Sequence, residues 1–177
     1  MSIVSREALA AIMPLASAAN LDRYAGPLAD VCLEYDIATP IRAAAFIAQL
    51  AHESGSLRYV RELATGDAYE GRKDLGNTQP GDGRRFKGRG LIQITGRANY
   101  AACGEALGLD LIHDPAQLEQ PDPACRSAGW FWTVYKKLNP LADAGNFERI
   151  TRRTNGGLNG YADRLAYYER AKAALGV

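Results

Sequence analysis

Residues 41–52 read Ile-Arg-Ala-Ala-Ala-Phe-Ile-Ala-Gln-Leu-Ala-His and are apolar on almost every side. A helix with so little polar surface has no face to give to water, so it must be the central, buried element of the fold. Thr39-Pro40 supplies its entry, a cap residue followed by a proline at the first helical position, where a missing N–H costs nothing. Ser54-Gly55 supplies its stop. Whatever this chain folds into, other elements have to wrap this helix, and the rest of the sequence offers them.

Residues 5–19 are rich in Ala and Leu, with Ser5 as an N-cap. Residues 21–36 carry Leu21, Leu28, Val31, Cys32 and Tyr35 at helical spacing, with Pro27 read as lying near that helix start. Helical pattern returns over 97–108, and Asp114-Pro115 starts a short helical turn. Asp122-Pro123 opens a strong helix over 123–138 that holds Trp130, Phe131, Trp132, Val134 and Tyr135. Residues 146–154 and 160–175 give two more, separated by Asn155-Gly156-Gly157, a helix stop that requires positive φ.

The middle of the chain has a different texture. Nine of the 18 glycines lie between Gly55 and Gly96. That segment reads as long, turn-rich loops, with room for a small β-hairpin at 85–95. Tyr59, Tyr69, Phe86, Leu91, Ile92 and Ile94 give it something to bury, so it is read as ordered and functional. The fold class is thus all-α, or mainly α, with a glycine-rich loop region.

Composition narrows the function. At 177 residues, 47% hydrophobic and 23% charged, the chain is one globular domain with no room for a separate binding module. No stretch approaches the roughly 20 apolar residues of a spanning helix, so no stable membrane insertion is expected. A net charge of +1 does not announce a nucleic-acid binder. Residues 83–104 nevertheless contain no acid and five cations: Arg84, Arg85, Lys87, Arg89 and Arg97. They form either a local basic surface for an anionic ligand or an ordinary solvated loop face. Three cysteines (Cys32, Cys103, Cys125) show no metal-like spacing and read as reduced, buried thiols. His52-Glu53 begins like a zinc-protease HExxH motif, but Ser56 stands where the second histidine belongs, so no metal or other cofactor is expected. Met1-Ser2-Ile3-Val4 runs straight into charged residues without an apolar secretory core, which points to a protein made in the cytoplasm.

Two carboxylates stand out. Glu53 sits at the end of the most apolar helix, and a carboxyl held against apolar neighbours favours its neutral form, as a general acid requires. An exposed helix-terminal glutamate is the plain alternative. Glu62 lies nine residues on, about 13 Å away along a continuous helix. A bend at Ser54-Gly55-Ser56 would bring it back across a cleft, at the spacing that inverting glycosidases use. Asp67, Glu70, Asp74 and Asp82 are rivals on the same loop. In an extended segment Gln93 and Thr95 face one way and Ile92 and Ile94 the other, which puts amide and hydroxyl groups into a groove suited to sugars. Trp130, Phe131 and Trp132 read as core, because adjacent helical positions cannot share one groove. Arg164 alone reads as a surface ion-pair partner.

Taken in order, these segments resemble glycoside hydrolase family 19, which includes chitinases and phage endolysins. Phe46-Ile47-Ala48-Gln49-Leu50-Ala51-His52-Glu53-Ser54-Gly55 resembles the family's catalytic helix, FxAQxxHE followed by small residues. Gly88-Arg89-Gly90-Leu91-Ile92-Gln93-Ile94-Thr95 is similar to its GRGxIQL[ST] segment, and Asn99-Tyr100 with Cys103-Gly104 follow as NY…CG. Leu107-Gly108-Leu109-Asp110-Leu111, Trp130-Phe131-Trp132, Asn155-Gly156-Gly157-Leu158 and Asp163-Arg164 continue the match through 41–177. The resemblance implies a lysozyme-like helical fold and hydrolysis with inversion, using neither metal nor covalent intermediate. It implies Glu53 as general acid, Glu62 as general base and Thr95 as the holder of the attacking water. Gln93, Asn99, Asn155 and Arg164 fall at positions that bind substrate or support the acid.

The sequence departs from the plant chitinases in its short 63–77 segment, and in Ala98, which replaces a sugar-binding tyrosine. Glu70 is therefore a fallback for the base. These departures move the expected substrate from chitin toward the glycan strands of peptidoglycan. The expectation is a monomeric phage or prophage endolysin made in the host cytoplasm. It would reach the wall after a holin-type partner permeabilises the membrane. A chitinase, or a non-catalytic glycan-binding protein that keeps the fold, are the alternatives.

Overall fold

The computed structural model describes residues 3–177. Its helices are α1 (Arg6–Ile12), α2 (Ala18–Glu34), α3 (Pro40–Glu53), α4 (Asp82–Arg85), α5 (Arg97–Leu107), α6 (Pro121–Trp130), α7 (Asn139–Asp143), α8 (Phe147–Asn155) and α9 (Tyr161–Leu175). Among the described residues no regular strand forms, and the architecture is all-α.

α3 is the central element. Thr39 caps it by accepting from the Arg42 N–H, Pro40 occupies its first turn, and Ala43 to Ala51 are all buried. α9 packs along it most extensively, α1 lies on α9, and α2 lies on α6. Trp132 meets Phe46 of α3 edge to face at 5.4 Å and donates its indole N–H to Asn139 at 2.8 Å, so it belongs to the core as expected. No helix of the described residues is long and apolar enough to cross a membrane.

Several elements differ from expectation, each for a local reason. The single helix expected over 5–19 is capped by Ser5 but ends at Ile12. Pro14 has no N–H with which to continue the ladder, and Ser17 caps a new start by accepting from Asn20. Pro27 lies inside α2, not near its start. Helix 123–138 gives up its α geometry after Trp130. Phe131–Tyr135 winds as a π turn, closed by the Lys136 N–H on the Phe131 carbonyl at 2.8 Å. The hairpin at 85–95 is replaced by a tight turn. Arg89 and Ile94 exchange backbone bonds of 3.1 and 2.8 Å around Gly90 and Gln93, which both have positive φ. Ile92 and Ile94 are still buried, as the alternation required.

The cations of 83–104, read either as a basic surface or as a solvated loop face, each bond to a partner within the protein, although Arg84 and Arg85 stay exposed. Arg84 pairs with Asp67, and Arg89 pairs with Glu119 at 2.8 Å. Arg85 donates to the carbonyls of Ile112 and His113, both at 2.9 Å, and Lys87 to that of Ala64 at 2.9 Å. Arg97 grips the buried Asp82 with two bonds of 2.9 and 2.6 Å, and that guanidinium holds the Asp82 carboxyl below its ordinary range. These bonds order the glycine-rich segment together with its buried Phe86, Leu91, Ile92 and Ile94.

Candidate active site

α3 delivers Glu53 to the edge of the core, and the chain then reverses its hand. Gly55, Ser56 and Leu57 have φ of 58°, 59° and 64° in succession. Left-handed residues other than glycine cost about 1–2 kcal/mol each, so this turn needs firm support. Ser54 gives it: its hydroxyl donates to the Leu50 carbonyl at 2.7 Å and accepts from the Leu57 N–H at 2.8 Å. The Ser56 and Tyr167 hydroxyls are hydrogen-bonded at 2.9 Å. The helix thus breaks at Ser54-Gly55-Ser56, where a break was anticipated.

The surroundings of Glu53 are not the purely apolar ones its helix suggested. Its Oε1 accepts from Arg164 at 2.6 Å. Arg164 is only 2% exposed, so it is a buried keystone and not a surface partner. The same guanidinium donates to Gln49 Oε1 at 2.5 Å and, through Nε, to the Asn159 carbonyl at 3.3 Å. Gln49, fully buried, donates in turn to Thr151 at 2.9 Å. Asn155 donates to the same Asn159 carbonyl at 3.0 Å and accepts from the Gly157 N–H at 2.9 Å. Glu53, Arg164 and Asn155 thus form one connected set. His52, the neighbour of Glu53, is tied to Asp163 of α9 at 2.7 Å.

Glu62 belongs to a second set. Its Oε2 accepts from the Gly88 N–H at 3.0 Å, its Oε1 accepts from the Tyr69 hydroxyl at 3.0 Å, and its own N–H donates to the Gly88 carbonyl at 2.9 Å. Gln93 approaches the same glycine, bonding its side-chain amide to the Gly90 carbonyl at 3.0 Å. Thr95 donates to the Gln93 carbonyl at 3.0 Å, which leaves the hydroxyl free to accept from a water. Asn99 donates to the Thr95 carbonyl at 2.8 Å. Gln93, Thr95 and Asn99 line one cavity of about 130 Å³. The rival carboxylates are employed elsewhere. Asp67 binds Arg84, Asp74 binds Arg72, and Asp82 binds Arg97. Glu70, like Glu62, accepts on both oxygens, in its case from the N–H groups of Gly81 and Gly83 at 2.7 and 2.8 Å.

The other wall of that cavity is aromatic: Trp130, Phe131 and Tyr135. On a continuous α-helix residues 130 and 135 would point about 140° apart. The π turn removes that offset, and their rings stack at 5.3 Å with 24° between planes. An α-helical reading of 123–138 therefore hides this wall. The adjacent run of aromatic residues ending in Tyr135 was the signal available. Among the described residues no three His, Cys, Asp or Glu side chains gather as a metal would need.

Gly88 is the point where the second set is tightest. A Cβ there would lie 2.6 Å from Gln93 Oε1 and 3.3 Å from Glu62 Oε2. Gly88→Ala should thus displace Gln93 and press on Glu62 while leaving the core alone. Turnover is expected to fall about 10- to 100-fold, as a misplacement of about 1 Å does, with little change in melting temperature. Steady-state kinetics beside a thermal melt check this, and unchanged turnover would remove Gln93 and Glu62 from the reacting centre.

Comparison with known proteins gives a consistent picture. The family model described as Chitinase class I matches residues 36–154. A glycosyl hydrolase family 19 domain-containing protein of Haemophilus influenzae is 33% identical over 160 residues, covering 72% of this chain and 77% of that protein. An endochitinase of Arabidopsis thaliana is 36% identical over 170 residues, covering 92% of this chain and 54% of its own; the chain spans about half the length of such plant relatives. Among crystal structures, a bacterial family 19 chitinase superposes with a TM-score of 0.80 at 26% identity, over 99% of this chain and 96% of that one.

Proposed function

Since the chain belongs to glycoside hydrolase family 19, we propose that it hydrolyses β-1,4 bonds between the N-acetylhexosamines of bacterial peptidoglycan in one inverting displacement. The observation that carries this reading is the pair of carboxylates on either side of the left-handed turn, each held by partners suited to its task. Glu53 gives its proton to the glycosidic oxygen as the bond to the anomeric carbon breaks. The carboxylate it leaves is already paired with the buried Arg164. A water held by Thr95 attacks the anomeric carbon from the other face and loses a proton to Glu62. Glu62 is kept oriented by Gly88 and Tyr69. Gln93, Asn99 and Asn155 present amides to sugar hydroxyls and N-acetyl groups.

The short 63–77 segment supports the wall as target, and on this proposal the protein acts as an endolysin that lyses a host cell. Delivery through a membrane lesion made by a holin-type partner belongs to the same proposal. Chitin is the second reading, favoured by relatives named endochitinases.

Mass spectrometry of fragments released from purified peptidoglycan and from chitin oligomers, with NMR of the new anomer, tests both. Hydrated reducing ends of α configuration from peptidoglycan are expected. Faster release from chitin would replace the substrate. A 1,6-anhydro end or a β anomer would overturn the water-activating role of Glu62. Binding without fragments would make this a glycan-binding protein that keeps the fold.

A further inference from the structure

Arg84, Arg85, Lys87, Arg89 and Arg97 all hold loops, whereas Lys136 and Arg153 do not. Lys136 follows the π turn directly. Its ammonium lies 5.0 Å from the Tyr135 ring centroid and 5.5 Å from that of Phe131, two rings of the wall facing Thr95 and Asn99. Arg153 lies in the last turn of α8, two residues before Asn155, and its charge reaches Lys136. Neither has a carboxylate partner among the described residues, and Glu148, the nearest acid in sequence to Arg153, is taken by Arg152 at 3.0 Å. Burial and the charge of Arg153 together push the Lys136 ammonium down. Lys136 stands on the aromatic wall with no counter-charge among the described residues, and an anion bound beside it would supply one. Through those two rings Lys136 adjoins the cavity that Gln93, Thr95 and Asn99 line.

We propose that Lys136 and Arg153 form a carboxylate-binding subsite at the aromatic end of the cleft, selecting glycans with acidic substituents over neutral ones. This deepens the peptidoglycan reading and rests on it. The carboxylate comes either from the lactyl ether on the sugar or from the peptide stem attached to it.

The test measures kcat/KM on three substrates: stem-bearing glycan strands, strands stripped of their stems, and chitin oligomers of matched length. Lys136→Met keeps the aliphatic packing on the rings and removes the charge. It should lower the ratio of strand to chitin efficiency by about fivefold, the upper end for one exposed ion pair. Adding Arg153→Met should lower it further, and Lys136→Arg should keep it. The wild-type ratio should shrink as salt rises from about 0.05 M to about 0.5 M. Loss on stripped strands assigns the lactyl carboxylate; loss confined to stem-bearing strands assigns the stem. An equal effect of Lys136→Met on strands and chitin, or an unmoved ratio, overturns the subsite. If wild type cleaves neither polymer, the proposed function fails by itself. The subsite is then read from Glu53→Gln and Glu53→Gln/Lys136→Met protein binding strands with free or amidated carboxylates. A fivefold difference confined to the free acid supports it, and no difference overturns it.

Discussion

Glu53→Gln protein should bind glycan strands as the unmodified enzyme does and release fragments about 10³-fold more slowly. The amide keeps the size and shape of the acid, and its oxygen can still accept from Arg164, so the set around Gln49 stays joined. What it lacks is a proton to give to the leaving oxygen. The expected pattern is therefore a collapse of kcat with little change in binding and a modest shift in melting temperature. Fragment release timed by chromatography, beside a strand-binding isotherm, measures both halves. Near wild-type turnover would remove Glu53 from the role of acid. Loss of turnover together with loss of folding would show instead that the ion pair is structural.

The second large effect is on stability. Arg164→Met should cost about 3–5 kcal/mol, the usual consequence of removing one partner from a buried charged pair. Methionine fills much of the space but strands two acceptors, Gln49 Oε1 and Glu53 Oε1, while the Asn159 carbonyl keeps its bond from Asn155. Gln49 is fully buried and cannot turn to water. For a chain of this length the melting temperature should drop by roughly 6–20 °C. Turnover should fall as well, measured at a temperature where the variant is folded, because the Glu53 carboxyl loses its anchor. Arg164→Lys should recover only part of either, since one ammonium cannot span acceptors arranged for a planar fork. A melting temperature within about 2 °C of wild type for Arg164→Met would show that the network is not what holds α9 to α3.

Much of this was legible in the residues, and what was not has physical causes. α3 could be read to within a residue because Thr39-Pro40 and Ser54-Gly55 are chemical signals that do not depend on the rest of the fold. The Ser5 cap was visible for the same reason. Pro27 misled because a proline favours a helix start on average, whereas packing of Leu21, Tyr24, Leu28 and Val31 carries α2 straight through it. The π turn at Phe131–Tyr135 has no local signature, so the aromatic wall it builds could not be foreseen from helical spacing. Net charge over a window proved a poor guide to surface charge. Arg84, Arg89 and Arg97 find acids at Asp67, Glu119 and Asp82, outside the window that made the segment look basic. The same blindness made Arg164 look like a surface residue, because its partners Gln49 and Glu53 lie more than a hundred residues away in sequence.

The three left-handed residues Gly55, Ser56 and Leu57 bear on product stereochemistry as well as shape. In glycosidases the gap between the two carboxyls decides whether a water fits between them and the sugar, and hence which anomer emerges. Here that gap is spanned by a short segment whose first act is a turn of inverted chirality. A right-handed continuation through the same residues would carry Glu62 along the axis of α3 and away from Glu53. With Glu53 as acid and Glu62 as base, as proposed, the product's configuration at its new hydroxyl would in this sense be inherited from the handedness of a backbone turn.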